Sequence, residues 1–427
     1  MIIGLIIALA AGLLLLGFEM FLVLGVPSLL TKFMFFGTVP DVIVVQRLVG
    51  GVNHSTLLAI PFFIFAAEIM ASGQIARRLT ALIKSMFGHR TGGMGHTTIG
   101  ACMAFGSVSG SAPATVAALG RIMHPELIRA GYRERFSLGL IVSSAETALL
   151  IPPSITLIIY GWLTGTSIIG LFAGGLVVGL VLGLAFALLV MWESVRTGAG
   201  KGARPPKGEA IAALKAALWA LGLPVIILGG IYTGIFTPTE AAAVAVIYAI
   251  LIEFVIYRDL SWSNLLKIAE RSAVTNCVIF VLLAVGSLLS YFITRAQVPA
   301  EIIEFLTYID AGPVMFLLIV NVALLIAGMF IDPNSALLIL VPALAPVAAT
   351  FGIDPVHFGL IVCLNICIGM ITPPFGLDIF VASSTLGKPV LTVIQGVWPF
   401  LAVNLVVLAL ITYVPDVSMF LPNLIMR

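Results

Sequence analysis

The chain has 427 residues, of which 61% are hydrophobic and only 9% charged, and its mean hydropathy is +1.19. A soluble surface needs far more charge than this, so composition excludes a soluble domain and leaves a polytopic membrane protein. The net charge of +2 provides no basic footprint for nucleic acid.

Apolar runs long enough to span about 30 Å of hydrocarbon recur from end to end. The first, residues 2–36, opens without a basic segment or an Ala-x-Ala site, so it reads as a retained helix and not a cleaved signal. A span at 55–71 is followed by a polar arm at 74–90, where RRLTALIKSMFGHR fits an amphipathic helix lying along the interface. Then comes 94–119, flanked by Arg77, Arg78, Lys84 and Arg90 on one side and Arg121, Arg129, Arg133 and Arg135 on the other. Basic loops stay in the cytoplasm. The stretch must therefore enter and leave by the same face, as a re-entrant hairpin. Its tip, GSVSGSAPA at 106–114, is small, polar and broken by proline. Such backbone is tolerated at membrane depth only where protein or a water-filled cavity surrounds it.

A segment at 136–165 is interrupted by Pro152 and Pro153 in AETALLIPPS, and a span at 168–192 closes the first half. A basic linker, RTGAGKGARPPKG, carries Arg196, Lys201, Arg204 and Lys207 and is centred on 201–209. Beyond it lie spans at 210–236 and 239–257, a second amphipathic arm DLSWSNLLKIAERS, a span at 273–293 and a polar arm at 295–310. A second hairpin is expected at 312–350, around GMFIDPNSA. A second interrupted segment, 356–385, holds Pro373 and Pro374 in IGMITPPFGL, and 390–415 is the last span. Few basic residues flank the second hairpin, so it enters from the opposite face.

The two halves share one order and one spacing. Pro152 follows Gly110 by 42 positions, and Pro373 follows Asp332 by 41. The expected fold is therefore all-α, with two inverted-topology repeats at 1–200 and 210–427, as in secondary transporters that bind solute and ions at the midplane. Each proline pair denies a helix its hydrogen bonds. The freed carbonyls suit a cation, and the N-terminus of the following half-helix suits an anion.

Other chemistries fit less well. Cys102, Cys277, Cys363 and Cys367 lie in apolar runs without partner ligands, and no His/Asp/Glu spacing suggests a metal catalyst. An intramembrane serine protease would need Gly-x-Ser-Gly and a mid-span histidine, whereas the chain has GSVSG. The Gly-x4-Gly-Lys-Ser/Thr loop of an ATP-driven pump is absent from the sequence. A stand-alone sodium/dicarboxylate symporter shares the hairpin arrangement and stays open at this stage.

GSVSGSAPATVAALG, AETALLIPPS, GMFIDPNSA and GMITPPFG, in this order and spacing, resemble the large membrane subunit of tripartite ATP-independent periplasmic (TRAP) transporters. The resemblance covers nearly the whole chain. It implies an elevator-type importer in the bacterial inner membrane, driven by two or more sodium ions and carrying a carboxylate-bearing solute such as a C4-dicarboxylate, a sialic acid or a sugar acid. It also implies a small membrane subunit and a periplasmic solute-binding protein as partners. Carried over residue by residue, backbone carbonyls of Ser107, Ser109, Ala148, Ile151 and Pro153 would hold one sodium ion, and those of Gly328, Gly369, Thr372 and Phe375 the other. Sodium is a hard cation that prefers oxygen, and carbonyls bring no buried charge.

A charge at the bilayer centre costs about 2.5–3.5 kcal/mol on insertion scales, so each one needs a reason. Asp332 sits at the second hairpin tip. Arg295, in YFITRAQVP, carries a fork that grips a carboxylate with two parallel bonds, and the resemblance also points to an arginine and an aspartate near these positions. Ser109, Ser111 and Thr156 are expected to contact solute hydroxyls. Glu19, Glu68, Glu146, Glu240 and Glu253 read as internal pairs or contacts to the small subunit, and Asp378 as a neighbour of the second sodium site.

Overall fold

The computed structural model describes residues 2–200 and 208–425, and its regular structure is helical throughout. Most of the 201–209 linker, with Lys201, Arg204 and Lys207, lies outside the described residues. Eight helical segments among those described are long and apolar enough to cross a membrane.

The first apolar run is two helices, α1 (Ile2–Leu15) and α2 (Met20–Phe35). The run 2–36, read as one stretch, is divided at Gly17, whose positive φ of 77° turns the chain. After α3 (Asp41–Gly50) and α4 (Ala59–Ser72), the first polar arm forms α5 (Ile75–Phe87). It buries Ile75, Ala76, Leu79 and Leu82 and exposes Arg77 and Lys84, the two-faced pattern its sequence implies. The hairpin is α6 (Gly93–Ser109) and α7 (Ala112–Arg129), followed by α8 (Glu134–Ala145), α9 (Ile155–Thr164) and α10 (Ile168–Thr197).

The second half begins with α11 (Glu209–Tyr232) and α12 (Pro238–Leu251). The next helix departs from expectation. DLSWSNLLKIAERS is not a separate interfacial arm: from Trp262 onward it continues without a break into the following span, making one helix, α13 (Trp262–Arg295), of 34 residues. The reason is local, because Leu, Lys, Ala, Glu and Arg all favour helix and no glycine or proline intervenes before Gly286. Then follow α14 (Val298–Tyr308), α15 (Pro313–Phe330), α16 (Pro333–Thr350), α17 (Pro355–Ile371), α18 (Leu377–Leu386), α19 (Val390–Tyr413) and α20 (Pro415–Ile425).

Two helix pairs are interrupted where the prolines predict. Between α8 and α9 the chain makes a short 3-10 turn, Glu146–Leu149, and then runs irregularly through Pro152 and Pro153. Between α17 and α18 the break covers 372–376. Both Pro-Pro bonds are cis.

Buried polar side chains tie the interior together, as interhelical hydrogen bonds do where no water competes. Asn365 Nδ2 donates to Asn321 Oδ1 (2.8 Å), and Asn321 Nδ2 to Thr412 Oγ1 (3.1 Å). Asn404 Nδ2 donates to Glu146 Oε1 at 2.6 Å. Glu253 Oε1 accepts from the backbone N–H of Ile75 (3.0 Å), capping α5. Glu240 closes a capping box with Thr237 at the start of α12. Three of the glutamates thus have structural partners.

Candidate functional site

The two hairpin tips meet at one cavity of about 470 Å³. One wall carries Ser109, Gly110 and Ser111 from the α6–α7 turn, and another carries Asp332, Pro333 and Asn334 from the α15–α16 turn. Thr156 in the first turn of α9 lies at its edge, and Met370 and Leu377 flank the second break. Helices α4 and α13 close the far side with Ile64, Glu68, Thr275 and Val278.

Each tip is shaped by its own polar residues. Gly110 takes a φ of +57°, which lets α6 stop and α7 begin within two residues. Ser111 Oγ accepts from the Ala114 N–H (3.4 Å), and Thr115 Oγ1 donates to the Ser111 carbonyl (2.8 Å) and sits 3.0 Å from Ser109 Oγ. At the other tip, Asp332 Oδ2 accepts from the N–H groups of Asn334 and Ser335, both at 3.2 Å, and so caps α16. The second carboxylate oxygen is left for other use.

The interrupted segments come up against the hairpins through the smallest residues. A Cβ on Gly106 would fall 2.6 Å from Ala148 Cα, and one on Gly110 would fall 3.0 Å from the Pro153 carbonyl oxygen. The backbone of Ala148 and the Pro153 carbonyl therefore lie directly against the first hairpin, beside Ser107 and Ser109. Ile151 is buried, its side chain against Gly179 of α10, and Ser154 Oγ donates to the Leu149 carbonyl (2.5 Å). In the second half Gly328 and Gly369 are in mutual contact: a Cβ on Gly369 would lie 2.5 Å from Gly328 Cα. Thr372 Oγ1 donates to the Ile368 carbonyl (2.6 Å), and the Thr372 N–H to that of Gly369 (3.0 Å). Phe375 is exposed, with its ring 5.3 Å from that of Phe330.

Arg295 is elsewhere. It ends α13, sixteen residues past Ile279, exposed and facing the Phe36 ring at 6.0 Å, and it is not among the residues around the cavity. At 1.5 Å per residue that offset is about 24 Å along the helix. The sequence identified a side chain able to grip a carboxylate but could not place it, and in this conformation it grips none in the cavity. Asp378, by contrast, is fully buried on the first turn of α18, one residue from Leu377.

Glu68 is the residue that sequence reasoning missed. The sequence places it with glutamates that pair internally or contact the small subunit, yet it reaches the cavity from α4. The only signal was a lone acid in FFIFAAEIMA, which does not reveal the direction the helix turns it.

Residues 6–417 match the family described as tripartite ATP-independent periplasmic transporter, DctM component. The chain belongs to this TRAP large-permease family. It is 42% identical over 422 residues to the ectoine TRAP transporter large permease protein TeaC of Halomonas elongata, covering 99% of each chain. It is likewise 42% identical over 371 residues to the C4-dicarboxylate TRAP transporter large permease protein DctM of Pseudomonas aeruginosa, covering 87% of each. Among solved structures, the Alcanivorax borkumensis YdaH transporter aligns with a TM-score of 0.59 and 14% identity over 86% of both chains, a likeness of fold alone. As a TRAP large permease the chain is an integral membrane transport subunit and not an enzyme.

Proposed function

We propose that this chain forms the transport pathway of a sodium-driven importer in the bacterial inner membrane, moving a carboxylate-bearing organic solute handed over by a periplasmic binding protein. The observation that carries this reading is the convergence of both hairpin tips on one cavity, each tip backed by an interrupted helix. The halves 1–200 and 210–427 act as inverted repeats joined by the basic linker at 201–209. Local spacings support the pairing: Gly106 precedes Gly110 by four residues as Gly328 precedes Asp332, and Ala148 precedes Pro152 as Gly369 precedes Pro373. Two or more sodium ions bind where these segments touch. One site uses the carbonyls of Ser107, Ser109, Ala148, Ile151 and Pro153, and the other those of Gly328, Gly369, Thr372 and Phe375. Ser109, Ser111, Thr156 and Asp332 face the solute.

The hairpins and interrupted helices move as one body against a wall that includes α4 and α13, an elevator stroke. Lys267 and Arg271 mark the start of α13 as cytoplasmic. Val274, Thr275 and Val278 near that end line the cavity, which supports reading this conformation as inward-facing. A small membrane subunit steadies the wall.

Relatives named for ectoine and for C4-dicarboxylate share the same 42% identity with this chain over 422 and 371 residues, so percentage identity does not choose the solute. The test is uptake by the three components in vesicles. Transport should require an inward sodium gradient and the binding protein. Undiminished uptake with potassium on both sides would overturn the coupling, and undiminished uptake without the binding protein would favour a stand-alone symporter.

A further inference from the structure

Glu68 and Asp332 are the charged residues around the cavity, and no lysine or arginine among the described residues joins them. They come from different walls, α4 and the second hairpin tip, and neither forms an ion pair among the described residues. An anionic side chain against an apolar membrane cavity gives up hydration and needs a counter-charge. None of the carbonyls proposed to hold sodium comes from α4, the helix that carries Glu68. A dicarboxylate would bring two further negative charges to a wall that already holds two.

We infer that the solute is a zwitterion, its cationic group seated between Glu68 and Asp332 and its single carboxylate turned toward Ser109, Ser111 and Thr156. This rests on reading the cavity as the solute site, and narrows that reading to one solute class. The surroundings also select the kind of cation. Ile64, Val274 and Val278 line the same space. A delocalised or quaternary cation, weakly hydrated, loses less on entering such walls than a compact ammonium. Asp332 is prepared for the role, because the N–H groups of Asn334 and Ser335 fix its carboxylate and leave one oxygen free.

The test is thermal stabilisation of the full-length chain in nanodiscs with sodium present. The probes are glycine betaine and 4-guanidinobutyrate as zwitterions, with succinate and adipate as dianions. At least one zwitterion should stabilise the protein, and neither dianion should. Glu68→Gln and Asp332→Asn should each weaken the zwitterion about tenfold or more, as expected for removing one negative charge from a charge pair in a partly desolvated site, while Glu68→Lys should admit adipate. Stabilisation of the unaltered chain by a dianion, failure of both zwitterions, or a zwitterion affinity unchanged by Glu68→Gln would each overturn the inference. Sodium without solute is the separate arm: if sodium alone fails to stabilise while zwitterion selectivity persists, the ion-coupling reading falls and this one stands.

Discussion

The contact between Gly328 and Gly369 offers the sharpest test of the proposed second sodium site. In Gly369→Ala the new Cβ would start 2.5 Å from Gly328 Cα and 2.7 Å from its carbonyl carbon, where ordinary contact begins at 3.4 Å. The obstacle is backbone, so α15 and α17 must part by roughly 1 Å. Over-packing of this kind costs about 1–3 kcal/mol. If both carbonyls hold sodium, the whole strain falls on the ion as well, because metal–ligand distances are kept to within about 0.2 Å. At 1.4 kcal/mol per tenfold, half-saturating sodium should rise by about 5- to 140-fold. The assay is thermal unfolding of the purified chain across a sodium titration. Gly139→Ala serves as the control: its Cβ would fall 2.0 Å from the Gly396 carbonyl oxygen, a similar clash between α8 and α19 away from the proposed sodium ligands. Both variants should unfold earlier without sodium, and only Gly369→Ala should shift the titration. An unshifted titration in Gly369→Ala, or an equal shift in Gly139→Ala, would refute the reasoning.

Three further outcomes are expected. Asp332→Ala should destabilise the chain by about 0.5–2 kcal/mol through loss of the α16 cap, whereas Asp332→Asn keeps the cap and should unfold close to the unaltered temperature; equal losses would show that the cap contributes nothing. Arg295→Ala should leave solute-induced stabilisation unchanged, since the residue stands outside the cavity, and a tenfold weakening in a binding titration would restore it to the site. Glu253→Ala should raise hydrogen exchange in the first turn of α5, where Ile75 loses its acceptor, at a cost of about 1 kcal/mol; unchanged exchange there would deny Glu253 that role.

Much of the scaffold was legible because lipid allows few alternatives. GSVSGSAPA and GMFIDPNSA could not be lipid-facing helix, and the proline pairs could only interrupt one, so the tips and breaks fell where the residues required. Rotation and position were not legible. Glu68 has the same neighbours in sequence whether α4 turns it to the cavity or to a partner helix. Arg295 announced its chemistry but not its distance, which depends on how far α13 runs. The length of α13 was obscured because Lys267, Glu270 and Arg271 interrupt the hydropathy pattern without interrupting the helix, and backbone hydrogen bonding is indifferent to side-chain polarity.

That helix also anchors the protein to the thickness of its bilayer. Thirty-four residues make a rod about 50 Å long, while the hydrocarbon layer is about 30 Å deep. Tilt alone cannot hide the difference, since it would take an inclination beyond the roughly 40° that spanning helices reach. The opening turns, with Lys267, Glu270 and Arg271, must stand clear of the hydrocarbon as a stalk. Val274 and Thr275 begin the cavity wall about one turn beyond Arg271. The depth at which the cavity rests is thus tied to where the lipid surface crosses α13, and longer acyl chains press against the charged stalk before they touch the site.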